Sequence, residues 1–260
     1  MKAGKFLSSA ALSLFALYFF VPLGSLFANS LWAGGNVYNF SAYSEVLHER
    51  GFTDALMLTG QVAAETILLT LAITFPAAYW VNLRAAHLRP LLSALSVVAF
   101  IIPPIVLVSG ISAFYTGPDW FVGTPHYLVA AYTVLAIPYT YRALDNGMRS
   151  LNLQTLSEAA QSVGASWGTL LLRIILPNVR GAVLGAVLLI LTLSLGEFTI
   201  ANVLLYQSFP VYMTYIASSK ATGSAALALS ALLLTWGAMY LLLNLESGAA
   251  RRARRIQEAK

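Results

Sequence analysis

The fold of this chain is best approached from Glu158-Ala159-Ala160-Gln161-Ser162-Val163-Gly164 and, after nine further residues, Ile174-Ile175-Leu176-Pro177. This polar segment interrupts a chain in which 58% of the residues are hydrophobic and 10% are charged, against roughly 25% charged residues in an average soluble domain. Thr155 and Glu158 match a Thr-x-x-Glu capping box, in which the hydroxyl and the carboxylate satisfy free backbone N–H groups. We therefore predict a short helix over about 156–163, ended by a sharp turn at Gly164, which adopts positive φ at little cost.

A second helical segment is predicted from Ser166 to Ile175. Its apolar side chains fall at helical spacing on one face: Trp167, Leu170, Leu171 and Ile174. Pro177 then stands where the next helix can begin. From these residues alone, the two segments form either a membrane-surface hairpin that connects two spans or a docking element for another protein, and both interpretations stay open.

Apolar runs flank this hairpin on both sides. Six of them come near the twenty residues that cross a bilayer: about 6–27, 59–83, 90–113, 125–144, 179–204 and 224–245. Lys2 and Lys5 before the first run also resemble a secretory signal, but the run is long and lacks a cleavage site, which favours an uncleaved span. Because no linker or internal repeat separates a second domain, we predict one all-α membrane domain over residues 1–260 with a loop at 146–178.

The basic residues indicate how these spans are oriented. If the N-terminus is cytoplasmic, 13 of the 15 lysines and arginines fall on the cytoplasmic side, and only Arg50 and Lys220 lie outside. Cytoplasmic loops collect positive charge, so this distribution supports six spans with both termini cytoplasmic. The net charge of +5 is thus distributed as topology requires, and we expect no nucleic-acid partner. The tail Arg251-Arg252-Ala253-Arg254-Arg255 is expected to face anionic membrane lipid.

Several chemistries find no support in the residues. No Gly-x-x-x-x-Gly-Lys-Ser/Thr phosphate loop is present, so any ATP hydrolysis must occur on another chain. The three histidines fall in loops or at span ends, which gives neither an intramembrane Ser/His pair nor metal-ligand spacing, and there is no cysteine. We therefore predict no catalytic residue, no metal site and no cofactor in this chain.

The hairpin resembles the EAA motif of permease subunits of bacterial ABC importers, whose pattern is E-A-A, three residues, G, nine residues, I, one residue, L-P. This sequence supplies every fixed position without a gap: Glu158, Ala159, Ala160, Gly164, Ile174, Leu176 and Pro177. The resemblance covers roughly 55–245 and implies the type I importer fold, with six transmembrane helices and a cytoplasmic coupling helix between the fourth and fifth.

The resemblance also implies partners and a location. In that family two permeases pair, each presents its loop to an ATPase subunit that binds ATP and Mg²⁺, and a soluble protein delivers the substrate. The expected location is the bacterial cytoplasmic membrane, and the expected second permease is a homologue. Carried over by position, the residues that contact the ATPase would be Glu158, Ala159, Ala160 and Gly164, with their neighbours Ser157 and Gln161, while Thr155, Trp167, Ile174, Leu176 and Pro177 would shape the loop.

Inside the membrane, Ser194-Leu195-Gly196-Glu197-Phe198 resembles the fifth-span segment of a subgroup whose members handle polyamines, iron(III), thiamine, phosphonates, sulfate or molybdate. An ionisable residue in a span is a functional hypothesis. Glu197, with Ser194, either lines the substrate pathway or has a structural role. Pro103, Pro104 and Pro138 can bend their helices, and either line that pathway or form packing kinks.

The sequence thus predicts a non-enzymatic permease subunit of a binding-protein-dependent ABC importer, with a polyamine such as spermidine or putrescine as the favoured substrate, because the outer loops are acidic and Glu197 is an anion. Iron(III), thiamine, phosphonate or sulfate are alternatives. A transporter driven by an ion gradient, using Glu197 and Glu65, is the alternative of another class.

Overall fold

The computed structural model describes residues 2–114 and 117–258, and almost all of them are helical. The first half contains α1 (Lys2–Leu31), α2 (Ser41–Leu47), α3 (Phe52–Leu83), α4 (Arg89–Ile101), α5 (Pro104–Phe114), α6 (Asp119–Val122) and α7 (Pro125–Arg149). The second half contains α8 (Leu153–Ser162), α9 (Trp167–Thr169), a π-helical turn (Leu170–Ile175), α10 (Leu176–Asn178), α11 (Arg180–Gly196), α12 (Thr199–Val203), α13 (Phe209–Ser219) and α14 (Ala221–Glu258). The prediction of an all-α chain is confirmed.

By length and apolar composition, three stretches of the described chain can cross a membrane: Ser9–Leu31, Phe52–Leu83 and Ala221–Leu241. The number rises to four if Trp167–Asn178 and Arg180–Gly196, bent by 83° at their junction, count as one span. The predicted fourth span corresponds to α7, in which tyrosines, threonines and a polar end lower the hydropathy. The count of six spans therefore stays a prediction.

Two predicted spans are interrupted in the structure. The third, 90–113, divides into α4 and α5 at Pro103, which lies between the two helices. The fifth, 179–204, ends its long helix at Gly196; Glu197 is extended, with φ −79° and ψ 109°, before α12 begins. Proline explains the first interruption, because it has no N–H to donate within a helix.

The helices form two compact units. One contains the chain up to Asp54 together with Tyr212–Leu234, and the other contains Ala55–Val211 and the chain from Thr235. In the first unit, Lys220 Nζ donates to Glu49 Oε2 at 2.8 Å. The side chains of Lys2, Lys5 and the basic tail at 251–255 lie outside the described residues.

The second unit has two buried apolar clusters. One joins α3, α5, α7 and α12, and is made of Val62, Val108, Leu128, Val129, Ala131, Tyr132, Ile200 and Ala201. The other joins α3 and α7 to the 146–178 loop, and is made of Phe75, Ala78, Tyr79, Tyr141, Leu144, Met148, Leu153, Ala160, Leu170, Ile175 and Val179. Because the loop supplies part of this second cluster, it is an ordered element of the fold and not a flexible connection.

Candidate functional site

The polar segment singled out in the sequence folds as α8, which begins three residues earlier than predicted. Asn152 caps it, since its Oδ1 accepts the Thr155 backbone N–H at 3.3 Å. The Glu158 carboxylate accepts a hydrogen bond from Gln154 Nε2 at 3.0 Å and does not reach back to the cap. The predicted Thr155–Glu158 capping box is therefore wrong. Asparagine caps at least as well as threonine, and the earlier start lets α8 bury Leu153.

The predicted turn at Gly164 is confirmed. Gly164 has φ +75°, and the two bonds that close the helix are Gly164 N–H to Gln161 O at 2.9 Å and Ala165 N–H to Ala160 O at 3.0 Å. A Cβ on Gly164 would meet no atom within 4 Å. The residue is therefore required by backbone conformation and not by lack of space.

The helix α8 has two distinct faces. Leu153, Ser157 and Ala160, at helical spacing, are buried. The opposite face is exposed, and it carries Gln154, Thr155, Glu158, Ala159, Gln161 and Ser162. Of the six predicted ATPase contacts, Glu158, Ala159, Gln161 and Gly164 are thus available to a partner, whereas Ser157 and Ala160 face the interior of this chain.

The buried face of α8 is attached to α3 by a hydrogen bond between two side chains. The Tyr79 hydroxyl lies 2.7 Å from Ser157 Oγ, and both residues are buried. Beyond the turn, the Trp167 ring packs edge-on against Tyr79, with centroids 5.6 Å apart, and against Trp80 at 6.1 Å. Both segments of the hairpin therefore contact the end of α3.

A polar network lies next to the start of α8. The buried Asp145 carboxylate, on α7, accepts a hydrogen bond from Asn82 Nδ2 at 2.7 Å and pairs with Arg149 Nη2 at 2.7 Å and Arg89 Nε at 3.7 Å. Arg89 Nη2 in turn donates to Asn82 Oδ1 at 2.8 Å. Since these residues come from α3, α4 and α7, the network joins three helices at one end of the unit. A polar cleft of about 320 Å³ separates it from Asn152.

The second segment of the hairpin is helical, as predicted, but it contains the π-helical turn. Ser166 caps α9, accepting the Thr169 backbone N–H at 3.3 Å. Ile174 and Leu176 are half-buried against the second apolar cluster. Pro177 lies inside α10 and does not open the next helix, which starts at Arg180 after a break at Val179. Pro177 thus lies in the first turn of a helix, but the long helix of the predicted fifth span begins only at Arg180.

Glu197 has a defined structural contact. Its Oε1 accepts the Ile200 backbone N–H at 2.7 Å, so the carboxylate caps α12, and its own carbonyl accepts the Tyr132 hydroxyl at 3.0 Å. The side chain also borders a pocket of about 310 Å³, which is lined by Ile102, Pro104, Leu135, Tyr139, Thr192, Leu193, Gly196 and Glu197. Both interpretations of Glu197 thus have a geometric basis.

The other predicted pathway residues lie in different surroundings. Pro104 borders the same pocket, and Pro103 is exposed beside it in the chain. Pro138 is buried inside the continuous helix α7. Ser194 is buried, and its hydroxyl has no hydrogen-bond partner within the described chain. The structure therefore brings Glu197 and Pro104 together but leaves Pro138 and Ser194 among packed side chains.

The Glu65 carboxylate has two side-chain partners in the structure. It accepts hydrogen bonds from Gln61 Nε2 at 2.8 Å and pairs with His126 Nδ1 at 2.7 Å. These contacts join α3 to the start of α7, which is a structural use of the residue.

Sequence reasoning missed Tyr79, Asn82, Arg89 and Asp145. The available signal was the i,i+4 spacing of Asp145 and Arg149 at the end of a predicted span, a typical helical ion pair. Nothing in the spacing of Tyr79 indicates its partner, because the two hydroxyls are 78 residues apart.

The sequence is similar to those of known membrane transport proteins. Residues 70–253 match the family described as binding-protein-dependent transport system inner membrane component. A probable ABC transporter permease protein, y4fN, of Sinorhizobium fredii is 28% identical over an alignment of 205 residues, and the match covers 72% of this chain and 35% of that protein. The chain thus spans about a third of the length of this curated relative.

Two solved structures share the fold. One is a bacterial ABC transporter involved in the import of the acidic polysaccharide alginate (19% identity, 94% of this chain and 96% of that one, TM-score 0.63). The other is a bacterial alginate ABC transporter in complex with an alginate pentasaccharide-bound periplasmic protein (16% identity, 97% and 96%, TM-score 0.69). At such low sequence identity, the structural similarity supports the type I importer permease fold and nothing more about this chain. Because the family match covers most of the sequence, the chain belongs to the inner membrane components of binding-protein-dependent transport systems.

Proposed function

We propose that this chain is a membrane-embedded permease subunit of an ATP-driven importer in the bacterial cytoplasmic membrane, with both termini cytoplasmic. It carries no catalytic residue. A partner ATPase binds ATP and Mg²⁺, a second, homologous permease completes the pathway, and a soluble extracytoplasmic protein delivers the solute.

One observation carries this proposal, namely the two-faced geometry of α8. The helix is capped at Asn152 and closed by the positive φ of Gly164, and Glu158 and Ala159 lie on its exposed face. A hairpin that only connected two spans would need no capped helix with an exposed face of this kind. An external protein can dock on this face, with Glu158 as a charged hydrogen-bond acceptor and Ala159 permitting close approach.

For the substrate we propose a small organic cation of the polyamine type. The pocket beside α12 has one carboxylate in its lining, that of Glu197, together with the Tyr139 and Thr192 side chains. An anion there attracts cations and repels a polyanion such as an acidic polysaccharide. Capping of Ile200 uses one carboxylate oxygen and leaves acceptor capacity on the other. Iron(III) or thiamine would suit the same charge, whereas sulfate or phosphonate would require Glu197 to remain purely structural.

The test is purification of the tagged chain from its native host in mild detergent, identification of co-purifying chains by mass spectrometry, and assays of ATP hydrolysis and spermidine uptake in proteoliposomes. We expect an ATPase and a second permease, and we expect Glu158→Lys to lose the ATPase. Glu45→Lys is the matched control, since it makes the same charge change on an exposed residue of α2.

Three outcomes would contradict parts of this proposal. A chain that takes up spermidine without any ATPase, and stops when the ion gradient is collapsed, would establish the ion-driven alternative. A Glu158→Lys variant that is normally inserted and keeps the ATPase would remove α8 as the docking element. ATP-dependent uptake that excludes spermidine but accepts sulfate or iron(III) would keep the importer and replace the substrate.

A further inference from the structure

The cytoplasmic end of α3, under the predicted topology, is joined to α8 by a buried hydrogen bond between two side chains. Tyr79 is 1% exposed and Ser157 is 3% exposed, so the 2.7 Å hydrogen bond between them is shielded from water. Trp167 adds ring contacts to Tyr79 and Trp80 from the other side of the turn. Residues 79 and 80 are therefore held between the two segments of the hairpin.

Pro76 lies one turn before Tyr79 inside the same helix. A proline within a helix removes one i→i−4 hydrogen bond and weakens the helix at that position. The side chain of Pro76 is exposed, and the adjoining groove, of about 560 Å³, is lined by apolar residues of α3, of the second hairpin segment and of α11. At Pro76, where α3 lacks one backbone hydrogen bond, the helix therefore borders an open groove and has few packed neighbours on that face.

We infer that Tyr79 and Ser157 form the link through which movement of α8 bends α3 at Pro76. When the hairpin shifts, the Tyr79–Ser157 hydrogen bond and the Trp167 ring carry residues 79–83 with it, while the part of α3 around Val62 stays with α5 and α7, against which it packs. Tyr79 is then a positioning residue that converts displacement of the docking helix into displacement of a membrane helix. This inference rests on the proposed function, because it needs an ATPase to move α8.

Spin labels on the two sides of Pro76, one within α3 and one directly after it, can measure the bend. The chain contains no cysteine, so Leu68→Cys and Arg84→Cys introduce two labels without removing a native thiol. Both positions are exposed, and they lie on opposite sides of Pro76. Sixteen residues at 1.5 Å rise place them about 24 Å apart along the helix, within the range of pulsed dipolar spectroscopy. The labelled chain is studied in the complete complex with its ATPase, with and without AMP-PNP and Mg²⁺.

The variants are Tyr79→Phe, which removes the hydroxyl and keeps the ring, and Ser157→Ala, which provides an independent removal of the same bond. Tyr141→Phe is the matched control, because the Tyr141 hydroxyl is also buried in this apolar cluster but has no hydrogen-bond partner in the described chain. A buried hydrogen bond contributes about a 3- to 10-fold change in an equilibrium. We therefore expect AMP-PNP to shift the distance between the labels in the wild type and in Tyr141→Phe. In either link variant, the equilibrium constant between the shifted and unshifted populations should fall about 3- to 10-fold.

Assembly with the ATPase and the rate of ATP hydrolysis should stay within about twofold of wild type in both link variants, since neither changes the exposed face of α8. The double variant should be no worse than Tyr79→Phe alone, because both changes remove the same bond. A distance shift that is as large in Tyr79→Phe as in the wild type overturns the inference, as does a wild-type complex that hydrolyses ATP without any shift. A chain that binds no ATPase overturns the proposed function itself.

Discussion

Gly147 is the residue at which a single methyl group should most clearly disturb the packing of α7 on α11. A Cβ at position 147 would lie 2.3 Å from the Ala182 Cβ, whereas carbon atoms in contact stay about 3.5–4.0 Å apart. The deficit is thus about 1.2–1.7 Å. Both carbons are attached directly to the backbone, so no rotamer change relieves the overlap, and the two helices must move apart.

The expected cost follows from two opposing terms. Overpacking a well-packed contact typically costs about 1–3 kcal/mol, and replacing glycine by alanine inside a helix returns up to about 1 kcal/mol. We therefore expect Gly147→Ala to lower the free energy of unfolding by about 1–2 kcal/mol. The measurement is the folded fraction after heating in detergent, followed by size-exclusion chromatography.

Two further variants separate the effect of the overlap with Ala182 from the general effect of replacing glycine by alanine in a helix. Gly185→Ala is the control. Gly185 lies in α11, the helix that carries Ala182, and a Cβ at position 185 would meet no atom within 4 Å. It should be neutral or stabilising. Adding Ala182→Gly to Gly147→Ala should restore the space and most of the lost stability. A Gly147→Ala protein that is as heat-resistant as Gly185→Ala would refute the close approach of α7 and α11.

Three more predictions concern charged groups. Asp145→Asn should cost about 1.5–3 kcal/mol, since a buried carboxylate loses charge-assisted bonds; a thermal midpoint equal to that of wild type would contradict the network. Glu197→Gln should keep the cap on Ile200 while Glu197→Ala loses about 1 kcal/mol; uptake that fails in Glu197→Gln at wild-type stability would assign the charge to transport. The hydrogen bond that Lys220 donates to the Glu49 carboxylate raises the pKa of Lys220 above its ordinary 10.5, so this pair stabilises the fold below that pH. The stability difference from Glu49→Gln should vanish as pH rises through the raised pKa, and a difference that persists would exclude the pair.

The hairpin shows how far local sequence can be interpreted. The turn at Gly164 was predictable because only glycine adopts positive φ without strain, and that preference belongs to the residue itself. The start of α8 could not be predicted in the same way, because Asn152 and Thr155 are both residue types that cap helix N-termini well. Burial of Leu153 against Met148 and its neighbours favours the earlier start, and that burial depends on residues outside the hairpin.

The interruption at Glu197 has a similar origin. An apolar run from 179 to 204 carries no proline and gives no reason to stop a helix at Gly196. In the structure the Glu197 carboxylate caps Ile200, and Tyr132 from α7 bonds the Glu197 carbonyl. These contacts compensate for the backbone bonds that a continuous helix would have made.

By itself, the sequence determined that this is an all-helical membrane chain with a polar hairpin that turns at Gly164, because hydrophobic runs and glycine punctuation act locally. It also determined the family, through residues at fixed spacing within that hairpin. The tertiary structure alone decided which residues hold the hairpin in place: Tyr79 with Ser157, and Asp145 with Arg89 and Arg149. Such partners lie far apart along the chain, and their hydrogen bonds form only where packing brings two helices to the same place and excludes water.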